Sequence, residues 1–261
     1  MVVTVGICLV YYKSDTLYHI YLNNSSSKSI LATVNTDKTV VAVTKANNIP
    51  SLPMKVESVY ELIKKIDGSK PSLSSFSYAY DAYKKVYQAG LVKKNYLTLI
   101  DFSISSCYNR LWVINMDTYE VEMISLVAHG NKSGTEYATS FSNKLNSLQS
   151  SLGVYLTGEE YQGKNGYSMR LDGLSIGYND MARERGIVVH GADYVSTEYI
   201  ETSGRLGRSQ GCPAVPAFVN EQFINLIKDR SVMFIYHPII EKMSISINYK
   251  LSFQGIEQGN I

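Results

Sequence analysis

Residues 187–213, IVVHGADYVSTEYIETSGRLGRSQGCP, place a histidine and a cysteine, each beside a glycine, within one short span. Ile187, Val188 and Val189 are β-branched and apolar, which predicts a buried strand that delivers His190 to its end, with Gly191 letting the chain turn away. From Gly204 to Gly211 the segment GRLGRSQG is too rich in glycine for helix or strand. It predicts a loop whose backbone closely approaches something, and that loop ends on Cys212. Pro213 and Pro216 then precede AFVNEQFINLIKDR, where Val219, Phe223, Leu226 and Ile227 fall near helical spacing, so the cysteine is expected just upstream of a helix N-terminus. Such a position shifts a thiol toward thiolate and offers amide N–H groups to a tetrahedral oxyanion. A lone cysteine is more often a small buried hydrophobe, and a lone histidine at a strand end is usually structural. Together in one span they are the two groups that a thiol nucleophile and its base require.

The chain of 261 residues can bury a sizeable core. Net charge is +2, and no like-charge run exceeds a pair, as at Lys64-Lys65, so composition shows no nucleic-acid or membrane-surface patch. Tyrosine supplies 21 residues, which suits strands and half-wet clefts. The three cysteines, Cys8, Cys107 and Cys212, show no metal-ligand spacing. A Cys8 to Cys107 bridge is compatible with export and leaves Cys212 free. The opening MVVTVGICLVYY has the length of a signal-peptide core but no basic lead or small-x-small cleavage site, so an N-terminal strand competes equally.

In chain order, NNSSSKS at 23–29 reads as a linker or hairpin tip. Val56, Val59, Tyr60 and Ile63 predict a helix between Pro53 and Ile66, and Phe76, Ala79, Tyr80, Tyr83 and Val86 predict a second that Gly90 ends. YLTLIDFSI (96–104), RLWVINM (110–116) and VEMISLVA (121–128) predict a meander of strands. Short strands are expected at Val154–Thr157 and Ser168–Leu171, between recurrent glycines. His129, in VAHG, also precedes a glycine and is the rival base, with lining a cleft as its expected job; Asp101 reads as a strand-end or turn residue. SVMFIYH predicts a core strand, and residues 243–253 alternate as a strand with one buried face. The organisation expected is an N-terminal segment 1–70, a main domain 71–240 and a C-terminal strand segment 241–261.

His190-Gly191 followed by Ser209, Gly211 and Cys212 resembles the signature of the YkuD-like L,D-transpeptidases. With IDFS, RLWVINM, VAHG, FSN (141–143), LTGEEY (156–161), RLDG (170–173) and HGADYVS (190–196) in that order, the chain resembles the murein L,D-transpeptidase catalytic domain family from about Ser74 to His237. The ordered combination is what makes the resemblance specific, since S-x-G-C alone is weak.

The resemblance implies a mainly β domain with peripheral helices (α+β), a sandwich or half-open barrel. It implies that Cys212 attacks a peptidoglycan stem peptide, that His190 takes the thiol proton and passes it to the leaving D-alanine, and that backbone N–H groups of Gly211 and Cys212 hold the oxyanion. An amine acceptor then receives the acyl group. Acylation by carbapenems is implied, no cofactor or metal is needed, and the place of action is the periplasm, the cell envelope or outside the cell. Ser209, Gln210, Gly191, Arg208, Arg185 and His129 are expected on the substrate side. Gln210 departs from the bulkier or basic residue usual in the family, which leaves the acceptor open. Arg170, Arg183, Arg185, Arg205 and Arg208 crowd the motif and suit an anionic stem, or else they pair with Asp172, Asp180, Glu184 and Asp193. Two alternatives stand beside transpeptidation: hydrolysis of the same acyl-enzyme by an L,D-carboxypeptidase or endopeptidase, and a non-catalytic wall-binding module.

Overall fold

The computed structural model describes residues 55–243, together with three short strands nearer the N-terminus. Those strands, β1 (Lys13–Ser14), β2 (Leu17–His19) and β3 (Thr33–Val34), pair antiparallel in the order β1-β2-β3. The apolar run 1–12, the segment 23–29, Cys8 and the alternating tail beyond Met243 lie outside the described residues.

The described residues from Lys55 to Met243 form one compact unit. Its sheet has eight strands: β4 (Tyr96–Asp101), β5 (Leu111–Asn115), β6 (Glu120–Ser125), β7 (Gly153–Gly163), β8 (Gly166–Gly173), β9 (Val188–Ala192), β10 (Ala214–Pro216) and β11 (Val232–Tyr236). Their order is β10-β9-β8-β7-β11-β4-β5-β6. The strand read from SVMFIYH, β11, lies near the middle, parallel to β4 and antiparallel to β7. All five of its residues are buried, as a continuous apolar run requires of a strand covered on both faces. At the far edge, β6 reverts to alternation, with Val121, Met123 and Ser125 inside and Glu120 and Glu122 outside.

The sheet curls until its edges nearly meet. Just beyond β6, the Ala128 N–H donates to the Ala214 carbonyl at 2.8 Å, so the chain leaving one edge strand bridges β10 at the other. The result is a nearly closed, barrel-like sheet with helices around it, the mainly β class expected. β10 is an edge strand, and this is where Pro216 is tolerated.

Helix α1 (Val56–Leu62) and helix α2 (Leu73–Gln88) fall where the periodicity predicts them. The Ser72 hydroxyl caps α2 by accepting the Ser75 N–H at 3.1 Å, and Gly90 takes φ +72° beyond its end. Phe76, Ala79, Tyr83 and Val86 bury one face of α2 against β11 and β4. The Tyr60 ring of α1 packs on Phe76 at 5.7 Å, and after α1 Lys64 bridges Glu120 at the β6 edge. Asp101 ends β4 by accepting the Ser103 N–H and hydroxyl, which is the turn role expected of it.

The short strands expected at 154–157 and 168–171 belong to one long hairpin, β7 and β8, joined at Lys164 and Asn165 with Gly166 at φ +74°. Of a further two helices, α3 (Thr197–Ser203) lies inside the segment quoted first and α4 (Asn220–Ile227) follows it.

Candidate active site

β9 sits between β8 and β10, with His190 opposite Ser168 on one side and Ala214 on the other. His190 lies in the middle of its strand, not at the end. Gly191 stays extended instead of turning, because the start of α4 crosses there: a side-chain carbon at Gly191 would meet the Asn220 Cβ at 2.9 Å and the Ala217 Cα at 3.1 Å. The glycine serves close packing, and the packing fixes the ring beside it.

The Nδ1 of His190 lies 2.9 Å from the Gly191 carbonyl. A carbonyl only accepts, so Nδ1 carries the proton and Nε2 is left as the basic nitrogen. Burial pushes the His190 pKa down, opposed by the bond to Gly191, and the ring is neutral at pH 7.

Cys212 ends a loop tied down at nearly every residue. The Ser209 N–H donates to the His129 carbonyl at 3.0 Å, and the Ser209 carbonyl accepts the Asn131 N–H at 2.7 Å. The Ser209 hydroxyl donates to the Cys212 carbonyl at 2.6 Å and accepts the Gly211 N–H at 3.0 Å. Behind the loop, the Ser150 hydroxyl donates to the Gly211 carbonyl at 3.2 Å. Gly211 is required twice over: its φ is +125°, and a side-chain carbon there would stand 2.8 Å from the Gln149 carbonyl oxygen.

The Cys212 sulfur accepts the Val188 N–H at 3.5 Å and points its own hydrogen at the Gly186 carbonyl, 3.8 Å away. Val188 and His190 project from the same face of β9, two residues apart. The helix expected over 217–230 forms as α4, but it starts only at Asn220, and residues 214–216 between it and the cysteine join the sheet as β10. The thiol therefore lacks a helix dipole. Burial pushes its pKa up, against the lowering influence of the Val188 N–H and the charges of Arg185 and Lys164. The resting pair is a neutral thiol and a neutral imidazole, where the sequence suggested a thiolate.

Cys212 and His190 open into one cleft of about 720 Å³, which Gly191, Ser209, Gln210, Arg185 and Arg208 also line. His129 is not among the lining residues. It is 1 % exposed, and its Nδ1 meets an Arg110 guanidinium nitrogen at 2.9 Å. Arginine can only donate, so this Nδ1 is the acceptor and the His129 proton sits on Nε2. That nitrogen lies near the Gly134 and Thr135 backbone without forming a well-directed hydrogen bond. Burial and Arg110 hold its pKa down at about 4.

The arginines divide. Arg183 is spent on Asp172 and Glu159, Arg170 reaches Glu159, and Arg205 donates to the Leu206 carbonyl beside it. Only Arg185 and Arg208 reach the cleft, and Arg208 donates to the Asn131 and Gly134 carbonyls. Sequence reading missed Lys164 and Asn165, Tyr194, and the wall Asn146–Leu148, all of which line the cleft. The signal for the first pair was present as G-K-N-G, a two-residue hairpin turn whose tip the curl of the sheet carries over the site. Among the described residues no three His, Cys, Asp or Glu side chains converge as a metal-holding group.

The sequence model of a family described as the L,D-transpeptidase catalytic domain matches residues 68–236. This chain belongs to that family. Its structure is also similar to solved L,D-transpeptidase structures. The enzyme from Mycobacterium smegmatis is 11% identical with a TM-score of 0.33, and the match covers 55% of this chain and 59% of that one. For the helical cell shape determining protein Pgp2 of Campylobacter jejuni the values are 13%, 0.37, 59% and 54%. For the L,D-transpeptidase of Xylanimonas cellulosilytica they are 15%, 0.31, 69% and 90%. This L,D-transpeptidase domain thus spans less than two thirds of the first two of these structures. No curated protein matches the chain.

Proposed function

We propose that the protein is a cysteine-dependent acyltransferase acting on peptidoglycan stem peptides, an L,D-transpeptidase in the cell envelope. The observation that carries this reading is the His190 tautomer: Nδ1 is tied to the Gly191 carbonyl, and the free Nε2 shares a cleft with the Cys212 thiol. His190 Nε2 takes the thiol proton as the sulfur attacks the carbonyl of an L-centred residue joined to a terminal D-amino acid. The imidazolium then protonates the departing amine, leaving a thioester on Cys212. An acceptor amine attacks the thioester, His190 removes its proton, and the sulfur leaves to regain the thiol.

The Gly211 N–H is already held by Ser209, so the Cys212 amide is the donor in this loop best suited to the oxyanion. His190 also needs no acidic partner. A carbonyl sets the tautomer without adding the charge that would raise its pKa.

The test is intact-protein mass after incubation with a carbapenem, run on wild type, Cys212→Ala and His190→Ala. One adduct on wild type, none on Cys212→Ala and a much slower one on His190→Ala is the expected result. A folded wild type with no adduct overturns the reading in favour of a wall-binding module. Product analysis on a tetrapeptide stem with an amine acceptor then separates transfer from hydrolysis: an amide product supports the transpeptidase, and the free tripeptide alone assigns a carboxypeptidase.

A further inference from the structure

Arg185 is held by four neutral oxygens. One terminal nitrogen, Nη1, donates to the Ser142 carbonyl at 2.7 Å and the Ser151 hydroxyl at 2.9 Å. The other, Nη2, donates to the Gln149 carbonyl at 2.6 Å and the Ser147 hydroxyl at 3.1 Å. Among the described residues no carboxylate pairs with it, whereas Arg183, two residues earlier, carries two. Its charge is therefore uncompensated and half-buried, on the wall of the cleft that holds Cys212. The nucleophile loop lies directly against it. A side-chain carbon at Gly211, the residue before the cysteine, would stand 3.4 Å from Nη2.

We propose that Arg185 is a positioning cation: it ties the wall 142–151 to the chain leading into β9, beside the nucleophile loop, its charge stabilises the Cys212 thiolate at the moment of attack, and it does not grip substrate. This rests on Cys212 being the nucleophile. With four hydrogen bonds already made within the protein, the guanidinium has a poor claim on a substrate carboxylate, while its fixed charge acts on the sulfur without reorganising. The groups facing Cys212 come from five elements. They are Arg185, Lys164 at the β7–β8 tip, His190 on β9, Tyr155 on β7 and Tyr194 after β9. Burial pushes both tyrosines up to about 12, so they stay neutral, and Lys164 is solvent-exposed. Arg185 is the one shielded cation among these five, and shielding from water is what gives a charge its reach.

The experiment is the pH dependence of iodoacetamide alkylation, followed on the peptide containing Cys212, for wild type, Arg185→Gln, Arg185→Lys and Lys164→Gln. Arg185→Gln is expected to raise the pH of the inflection by about one, which is about tenfold in rate below it. Arg185→Lys should restore most of that difference, and Lys164→Gln should move the inflection by less than half as much. An unmoved inflection in Arg185→Gln overturns the proposal, whatever happens to the rate, because a purely structural clamp does not change the ionisation of the sulfur. If Arg185→Gln fails to fold, the equally neutral Arg185→Met takes its place: an inflection raised as far as the loss of the charge predicts supports the proposal, and one at the wild-type pH overturns it. The carbapenem test involves no Arg185 variant, so an inert nucleophile and an ineffective Arg185 give different results.

Discussion

Two histidines in this protein precede a glycine and lie buried near the same loop, yet they have opposite chemistry. His190 donates from Nδ1 to the carbonyl of Gly191 and keeps a free Nε2 on the cleft. His129 accepts at Nδ1 from Arg110, and its Nε2 is sealed away from solvent. One partner sets the tautomer in each case: a carbonyl makes the ring a base with its outer nitrogen, and a guanidinium turns the ring into an acceptor, whose basicity burial and then the Arg110 charge depress. The contribution of His129 to the site runs instead through its backbone, since its carbonyl receives the Ser209 N–H and so supports the loop that carries Cys212.

The sharpest way to break this comparison is to remove each ring. His190→Ala should slow carbapenem acylation about 10³-fold, within the range of a lost general base, with the fold retained by circular dichroism. His129→Asn keeps an acceptor for Arg110 and should leave acylation within about threefold of wild type. Equal losses in the two variants would mean that both rings take part in the chemistry and that the sealed position of His129 has been misread.

Acid should sharpen the contrast next. The folded state holds His129 neutral with a pKa near 4, whereas the unfolded chain protonates it near the ordinary value of 6.5. Its contribution is therefore complete above pH 6.5 and is lost as pH falls toward 4, up to about 3 kcal/mol. Urea unfolding of wild type between pH 7 and 4 should show that loss, and His129→Asn should lack it. His190 is displaced in the same direction, so its variant serves as the control for the background slope. A parallel decline in wild type and His129→Asn would show that the ring is not held neutral.

Much of this arrangement was legible in the sequence because it was local. The periodicities of α2 and of β4 to β6, the glycine loop and the pairing of His190 with Cys212 each depend on residues close along the chain. What escaped was set by the curl of the sheet. The bridges Ala128–Ala214 and Gly130–Ser209 bring VAHG behind the nucleophile loop, and that closure turns His129 from a cleft residue into a buried prop. The helix read from residues 217–230 is there as α4, but the step between it and Cys212 was not legible: residues 214–216 pair with β9 as a strand, and the helix starts only at Asn220. Arg185 was legible as a residue near the motif, but its four acceptors lie 34 to 43 residues away along the chain.

The smallest effect concerns the joint between the two histidine environments, Ser209. Its backbone hangs from the carbonyl of His129 and from Asn131, and its hydroxyl spans from the Gly211 amide to the Cys212 carbonyl. Ser209→Ala removes only the hydroxyl. Two hydrogen bonds go, which predicts a loss of about 1 to 2 kcal/mol in urea unfolding. The same change frees the Gly211 N–H, so acylation should fall by no more than about tenfold and the Cys212 amide should keep its role. If Ser209→Ala instead matched His190→Ala in the carbapenem assay, the hydroxyl would be acting on substrate, and the division between a chemical histidine on the cleft and a structural one behind the loop would have to be redrawn around the serine that joins them.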